Sequence, residues 1–485
     1  MGQTLVAYLD DFLGIEESRD SCDRAISTTL RLMDNLGFTI NLDKSVLTPK
    51  QSIEFLGFIL DSNDMTVYLT ERKRTSIIER CNALLICQSC SIRDVASLIG
   101  SLVACEPRVP MARLYYKSLE ILKTPALSHS GHDYNSSMTL DDETRADLRW
   151  WIDNLADQCF YIDNGPHRLP ISFIFETDAS KSGWGGLIRD HPLLRTNGFF
   201  SEEECFLHIN ILELMAVLFS LKSLTTTNIS NVHIRLMIDN TTAIACINKK
   251  GSNKEGLLRV TKQIWKWASS RNIWLSAAHI PGKENILADE ESRVKFDPAS
   301  EWSLRQDIFD LLMEELGQCE IDLFASRINY KLRNYISWRP DPGASAIDAF
   351  MFDWNHTKLY IFPPFRFLGK ILKRISLERV QAVIIMPSNI ANKLASQVIR
   401  LLIEYPILLP YQSVYLPQDL SVTHPLGTRL RLIACSLSSL PGKNREFLNQ
   451  LETSYHIVGD RALRHNTNLS LRNGNFSVPI RKLTP

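Results

Sequence analysis

The chain has 485 residues, 45% of them hydrophobic and 22% charged, with 54 Lys+Arg balanced by 54 Asp+Glu. That length predicts about three folded domains, and zero net charge excludes a global basic field, so nucleic acid would have to be held by local patches. No apolar run approaches the ~18 residues that argue for a membrane span.

Taken in chain order, TLVAYLDDFLG reads as two short strands joined by an acidic turn at Asp10 and Asp11. Residues 71–125 contain two or three helices, with Ile77, Ile78, Leu84 and Leu85, then Val95, Leu98, Ile99 and Leu102, at helical spacing. Their basic residues Arg72, Lys73, Arg74, Arg108 and Arg113 are candidates for phosphate contact, or form a solvated face. Pro125–Ser137 reads as a loop, followed by a helix over 140–155.

The segment 171–180 predicts a buried strand running into Asp178, with a turn and a second strand, GWGGLI, after it. Residues 211–224 predict a helix with Ile211, Leu214, Met215, Leu218 and Leu221 as its apolar stripe; Glu213 lies off that stripe and can point across to the first strand. HIRLMID alternates as a strand ending in Asp239, and Asn240, Thr241 and Thr242 can cap the helix that follows. A helix over 254–271, a strand NIWLSAAH and a loop PGKEN lead to Asp289 at the start of a short helix. A lone carboxylate at a strand end is usually solvated. Four in this order point instead to hard divalent cations, a pair of which can clamp both sides of an in-line phosphodiester attack.

With these residues in place, 171–293 resembles a type 1 ribonuclease H domain of reverse-transcribing elements. The resemblance implies that Asp178, Glu213, Asp239 and Asp289 hold two Mg²⁺ (or Mn²⁺) ions, with His279 as the mobile-loop histidine and Asn285 beside it. Its implied reaction is endonucleolytic cutting of RNA in an RNA–DNA hybrid. One departure stands out: Glu290 and Glu291 follow Asp289, and their charge is expected to loosen the last helix or alter metal affinity. Lys249, Lys250, Lys254, Arg259, Lys262 and Lys266, with Trp265, Trp267 and Trp274 among them, resemble that family's basic substrate surface; a solvated face backed by core tryptophans is the alternative.

YLDD, with FLGF at 55–58, resembles the palm and primer-gripping hairpin of a reverse transcriptase, and the helices after it its thumb and connection. Only seven residues precede Tyr8, so a fragment with polymerase activity lost is expected. Beyond Arg293, apolar strands alternate with helices, which reads as α/β with a parallel sheet. The order DLFAS, DAF, FPPF resembles the adenine methyltransferase-like domain of DIRS-type (tyrosine-recombinase) retrotransposons, and the resemblance covers most of the chain. Asp322 and the tetrapeptide Phe362, Pro363, Pro364, Phe365 carry that motif. Active enzymes of this kind begin the tetrapeptide with Asp or Asn, which accepts a hydrogen bond from the target amine. Phe362 has no acceptor, so a nucleic-acid-binding or structural module is the reading favoured over methyl transfer.

The expected fold is thus a multidomain α/β chain: reverse-transcriptase palm over 1–70, thumb and connection helices over 71–165, a ribonuclease H-like mixed sheet with helices over 170–295, a methyltransferase-like α/β domain over 318–440 and a loose tail over 441–485. A catalytically dead nucleic-acid-binding remnant and a DNA adenine methyltransferase-like activity remain as alternatives. Ten scattered cysteines and no signal peptide predict an intracellular protein. Cys87 and Cys90 form a lone C-x-x-C without partners for zinc. No membrane partner is expected, and the oligomeric state is open.

Overall fold

The computed structural model describes residues 4–155, 160–161, 169–225, 229–293, 302–355, 357–422, 424–440, 442–452, 470–473 and 476–483. The chain divides into two compact units, Met1–Pro170 with Lys249–Lys262, and Ile171–Asn248 with Gln263–Pro485. No helix among the described residues is long and apolar enough to cross a membrane.

The first unit opens on a hairpin of β1 (Thr4–Tyr8) and β2 (Asp11–Ile15), followed by α1 (Arg19–Asn35). Both strands are largely exposed, Asp10 and Asp11 among them. A second hairpin joins β3 (Ser52–Phe55) to β4 (Phe58–Asp61) through Leu56 and Gly57, both at positive φ (51° and 76°), the geometry of a tight turn that follows strand twist. With β5 (Thr66–Leu69) and Phe160–Tyr161 it makes a four-stranded antiparallel sheet.

Four helices follow: α2 (Glu71–Ile86), α3 (Ile92–Val103), α4 (Ala112–His129) and α5 (Asp142–Leu155). The apolar residues at helical spacing form their shared core, with Ile77, Val95, Leu98, Leu102 and Trp151 fully buried. α4 runs on through Pro125, where a loop was expected. Proline removes one helix hydrogen bond, but Ala126 and Leu127 beyond it pack on the core, so burial outweighs the local penalty. The expected phosphate-contacting cations are mostly engaged: Arg74 pairs with Glu71, the Lys73 Nζ donates to the Ala104 carbonyl at 3.1 Å, and Arg108 is buried.

The second unit begins with β6 (Ile171–Ala179), β7 (Gly183–Ile188) and β8 (His191–Phe199), an antiparallel meander. Next come α6 (Ile209–Leu224), β9 (His233–Ile238), α7 (Thr241–Asn248), α8 (Glu255–Ser269), which starts within the first unit, β10 (Trp274–His279) and α9 (Ile286–Ser292). The sheet order is β8–β7–β6–β9–β10, antiparallel on one side of β6 and parallel on the other. α6 has no polar face: every residue from Leu212 to Leu221 is buried, the pattern of a helix enclosed in a core rather than laid on its surface.

After α10 (Gln306–Leu316), a six-stranded sheet takes β11 (Ile321–Asp322), β12 (Lys358–Ile361), β13 (Gln381–Pro387), β14 (Ile407–Leu408), β15 (Leu432–Ser438) and β16 (Arg481–Lys482) in the order β11–β12–β13–β15–β14–β16. β11, β12 and β13 are parallel as expected, whereas β15 is antiparallel to both of its neighbours. Antiparallel strands need no helical crossover, and the described connection from β14 to β15 holds a two-residue strand, Val414–Tyr415, and a short 3₁₀ turn, Gly427–Arg429, but no α-helix. The tail expected to be loose contributes to this fold: β16 pairs with β14, and Leu471, Val478 and Ile480 are buried in its core; residues 453–469 of that tail lie outside the described residues.

One polar linkage in the first unit tests packing directly. The Lys262 ammonium on α8 lies 2.7 Å from Asp147 and 3.0 Å from Glu143, both on α5, and Asp147 also accepts from the Ser118 hydroxyl. Burial pushes the Asp147 carboxyl up to about 6 even with the cation beside it. Removing one partner of a buried pair strands the other. Lys262→Met is therefore expected to destabilise the protein by about 3–5 kcal/mol, while Lys262→Met with Asp147→Leu regains much of the loss, measured by urea unfolding.

Candidate metal centre

The parallel register sets the first two acids side by side. Met237 on β9 pairs with Glu176 on β6, so Asp239 and Asp178 each lie two residues further along adjacent strands. Glu213, in the second turn of α6, projects onto the same point. Carboxylate oxygens of Asp178, Glu213 and Asp239 lie within 4.8 Å of one another, a group able to hold a metal ion.

Asp178 and Glu213 are only 5% and 4% exposed, which decides their protonation. Burial, opposed by the Ser292 hydrogen bond and reinforced by Asp239 and Asp289, pushes the Asp178 carboxyl up to about 6. Burial, then the charges of Asp178 and Asp239, push Glu213 up to about 9, against a stabilising hydrogen bond from the Ala179 backbone N–H. The Glu213 Oε2 is buried without a hydrogen-bond partner. An orphaned, water-excluded oxygen facing two more carboxylates fits a hard divalent cation, whose charge would offset the repulsion.

The fourth acid stands apart. Asp289, on the first turn of α9, directs Oδ1 to the Arg293 guanidinium at 2.7 Å and is not part of the close group. It belongs to the site's electrostatics, being one of the charges that raise Asp178. His279 is the exposed last residue of β10, paired in register with Ile238, next to Asp239. It thus ends the strand read from NIWLSAAH, at the point where the PGKEN loop begins. Asn240 caps α7 as predicted, its Oδ1 accepting from the Ala243 N–H at 3.0 Å.

Glu291 corrects the expectation of a loosened last helix. It pairs with Arg195 at 3.2 Å and accepts from the Asn197 side-chain amide, tying α9 to β8. The GWGG motif makes room for this: a Cβ at Gly185 would stand 2.6 Å from the Ala288 carbonyl oxygen and the Ser292 nitrogen. Only a glycine lets α9 lie against β7 this closely.

Of three supporting residues, Ser292 and Gly282 carry no decisive sequence signal, whereas Asn285 is one the resemblance names. Ser292 donates to Asp178 Oδ2 at 2.6 Å and fixes that carboxylate. The buried Asn285 donates to the Thr177 carbonyl at 3.0 Å and pins the loop to β6. Gly282 passes the Asp239 carboxylate, where a Cβ would sit 3.5 Å from Oδ2. A serine three residues past an aspartate in a loop-to-helix segment was the available hint for the first.

The basic run around α8 splits. Arg259 pairs with Glu255, Lys262 is engaged with α5, and Trp265 and Trp267 are core residues, as the alternative reading held. Lys249, Lys254 and Lys266 remain exposed.

Asp10 and Asp11 sit at the turn of the exposed first hairpin, and no third carboxylate joins them in a metal-holding group among the described residues. Cys87 is exposed and Cys90 buried, and neither belongs to such a group. In the second sheet Asp322 is fully buried on β11, pushed up to about 7 by burial, and its Oδ2 accepts from the Lys331 N–H at 2.9 Å. Phe362, Pro363, Pro364 and Phe365 follow the carboxyl end of β12, the two rings 6.4 Å apart.

No family model matches the chain. It is similar to the enzymatic polyprotein of figwort mosaic virus (strain DxS), 24% identical over 308 residues, which are 59% of this chain and 40% of that protein. The chain therefore spans less than half the length of that curated relative. Among solved structures, the foamy viral protease–reverse transcriptase in complex with double-stranded DNA is 12% identical with a TM-score of 0.28, over 56% of this chain and 46% of that one. The LC11 RNase H1 in complex with an RNA/DNA hybrid is 21% identical with a TM-score of 0.22, over 25% of this chain and 93% of that one. The N-terminal RNase H domain of Rv2228c from Mycobacterium tuberculosis is 14% identical with a TM-score of 0.22, over 25% and 91%.

A pH test follows from the raised carboxyls. Groups whose folded pKa lies above the unfolded value stabilise the fold at acid pH and lose that contribution as pH rises through the folded value. The metal-free protein is expected to melt at progressively lower temperature from pH ~5 to ~9. Asp147 and Asp322 are raised as well, so the variants isolate the site: Asp178→Asn should flatten the fall near pH 6, and Glu213→Gln the fall toward pH 9. Parallel melting curves for wild type and both variants would contradict the buried cluster.

Proposed function

We propose that residues 171–293 form a ribonuclease H-type nuclease within a retroelement polyprotein, hydrolysing the RNA strand of an RNA–DNA hybrid. The observation that carries this reading is the convergence of Asp178, Glu213 and Asp239 on adjacent parallel strands and an enclosed helix, with Glu213 Oε2 left orphaned. Similarity to a viral enzymatic polyprotein supports the retroelement setting, DIRS-type on the order of its motifs.

Asp178, Glu213 and Asp239 would hold two divalent cations, Mg²⁺ or Mn²⁺, with Asp289 swinging from Arg293 as the fourth ligand. When bound, the cations supply Lewis acidity for in-line phosphodiester hydrolysis. The protein's own part is positional. Ser292 and the Ala179 N–H orient two of the carboxylates, and α6 keeps water from the back of the site. His279, exposed beside Asp239, is placed to move a proton at the phosphate. Lys249, Lys254 and Lys266 are candidates for backbone phosphates, and hybrid recognition would use the 2′-hydroxyls across the minor groove. Hydrolysis is the activity proposed because the close group of carboxylates lies on the strands and helix of residues 171–293. The scattered cysteines support an intracellular setting.

With Mg²⁺, purified protein is expected to cut a labelled RNA–DNA hybrid, leaving the DNA strand and duplex DNA intact. Asp178→Asn or Asp239→Asn should lower the rate at least ~100-fold, a loss typical of removing a principal electrostatic stabiliser. Millimolar Mg²⁺ at pH 8 should raise the melting temperature of wild type but not of Asp239→Asn. Binding of the hybrid without metal-dependent cutting would instead favour a catalytically dead nucleic-acid-binding remnant.

A further inference from the structure

Within the second unit, a cleft of about 530 Å³ opens where β8 meets the carboxyl ends of β11 and β12. Its walls come from the residues just after those two parallel strands and from Asn197–Phe199. In open α/β sheets this is the end at which loops diverge and leave a crevice for ligands. The volume is that of a small-molecule site.

The lining has an unusual chemistry. Trp338 keeps 64% of its surface exposed, and the Arg339 guanidinium lies 4.0 Å from its ring centroid. The Lys370 ammonium stands 3.6 Å from the centroid of Phe350, and Arg366 lies 4.9 Å from that of Phe367. Neither Lys370 nor Arg366 pairs with a carboxylate among the described residues. The cleft's two carboxylates are spent on its own backbone. Asp341 accepts from the Arg327 and Gly343 N–H groups and the Tyr335 hydroxyl, and Asp348 from the Phe350 N–H at 2.9 Å. What remains is the exposed Trp338 ring beside two cations, Arg366 and Lys370, with no ion-pair partner among the described residues.

We propose that this cleft binds a nucleoside phosphate, with the base against the exposed Trp338 ring and the phosphate held by Arg366 and Lys370. Base–aromatic stacking is worth about 1–3 kcal/mol and tolerates any base. Paired with cations, it selects a planar ligand carrying negative charge. S-adenosylmethionine offers an adenosine and one carboxylate but no phosphate, and its sulfonium would lie among the Arg366 and Lys370 charges. The same chemistry is offered by a free mononucleotide and by one unpaired nucleotide of a strand.

The cleft is also joined to the metal centre by one side chain. Asn197 accepts from Arg339 at 2.7 Å through Oδ1 and donates to Glu291 on α9 through its amide nitrogen. A ligand drawing on Arg339 would thereby act on the helix that carries Asp289. The binding claim does not rest on the nuclease reading, and its test separates the two.

The full-length protein, in EDTA to silence cleavage, would be titrated with a fluorescein-labelled 12-nucleotide single-stranded DNA, followed by anisotropy, and with adenosine 5′-monophosphate by calorimetry. Saturable binding of either is expected, with Arg366→Ala/Lys370→Ala and Trp338→Ala each weakening it at least tenfold. These side chains are exposed, so melting temperature should stay unchanged. Asp178→Asn should bind as wild type does, whether or not the hybrid is cut. Displacement of the oligonucleotide by the mononucleotide would assign a free-nucleotide site; binding of the oligonucleotide alone would assign a strand. The proposal fails if the cleft variants bind normally, if inorganic phosphate competes as well as the mononucleotide, or if S-adenosylmethionine displaces the probe.

Discussion

Asp178, Glu213 and Asp239 repel one another across less than 5 Å, and the first two do so out of water. A fold tolerates such a cluster only where the surrounding packing over-determines it. Here two parallel strands fix the spacing of the aspartates, and a helix buried all round fixes the glutamate. The strain shows in the carboxyls pushed up to about 6 and about 9 and in an oxygen with no partner. Such a site is cation-hungry by construction: the energy that packing spends on holding the anions together is returned when positive charge arrives.

The elements around the cluster serve that constraint. α9 can lie across β7 because Gly185 presents no side chain, and Ser292 then reaches Asp178. Glu291, which looked like surplus negative charge beside the site, is compensated by Arg195 and Asn197 and fastens the helix. Charge near a metal centre is therefore not interchangeable. The direction in which each carboxylate points decides whether it repels, ligates or braces. Asp289 is aligned with Arg293 and acts on Asp178 through its charge.

The C-terminal sheet shares a border with this machinery through β8. Asn197 faces both ways, toward Arg339 of the basic, aromatic cleft and toward Glu291 of α9. The FPPF tetrapeptide contributes Pro364 to the cleft wall and carries no hydrogen-bond acceptor side chain at its first position.

Much of this was legible in the residues themselves. Apolar patterning marked the helices over 71–125 and the strands into Asp178 and Asp239, because burial of one face or of a whole element leaves its trace in the sequence. The order of four acids pointed to one site, and three of them, Asp178, Glu213 and Asp239, come together. Tertiary structure alone decided the rest: the run of α4 through Pro125, the antiparallel β15, the sheet strand at Arg481–Lys482, the engagement of Lys262 with Asp147, and the separate direction of Asp289. Each of these depends on a neighbour distant in the chain, and local composition carries no record of which distant group will arrive to satisfy a charge, a backbone edge or a buried face.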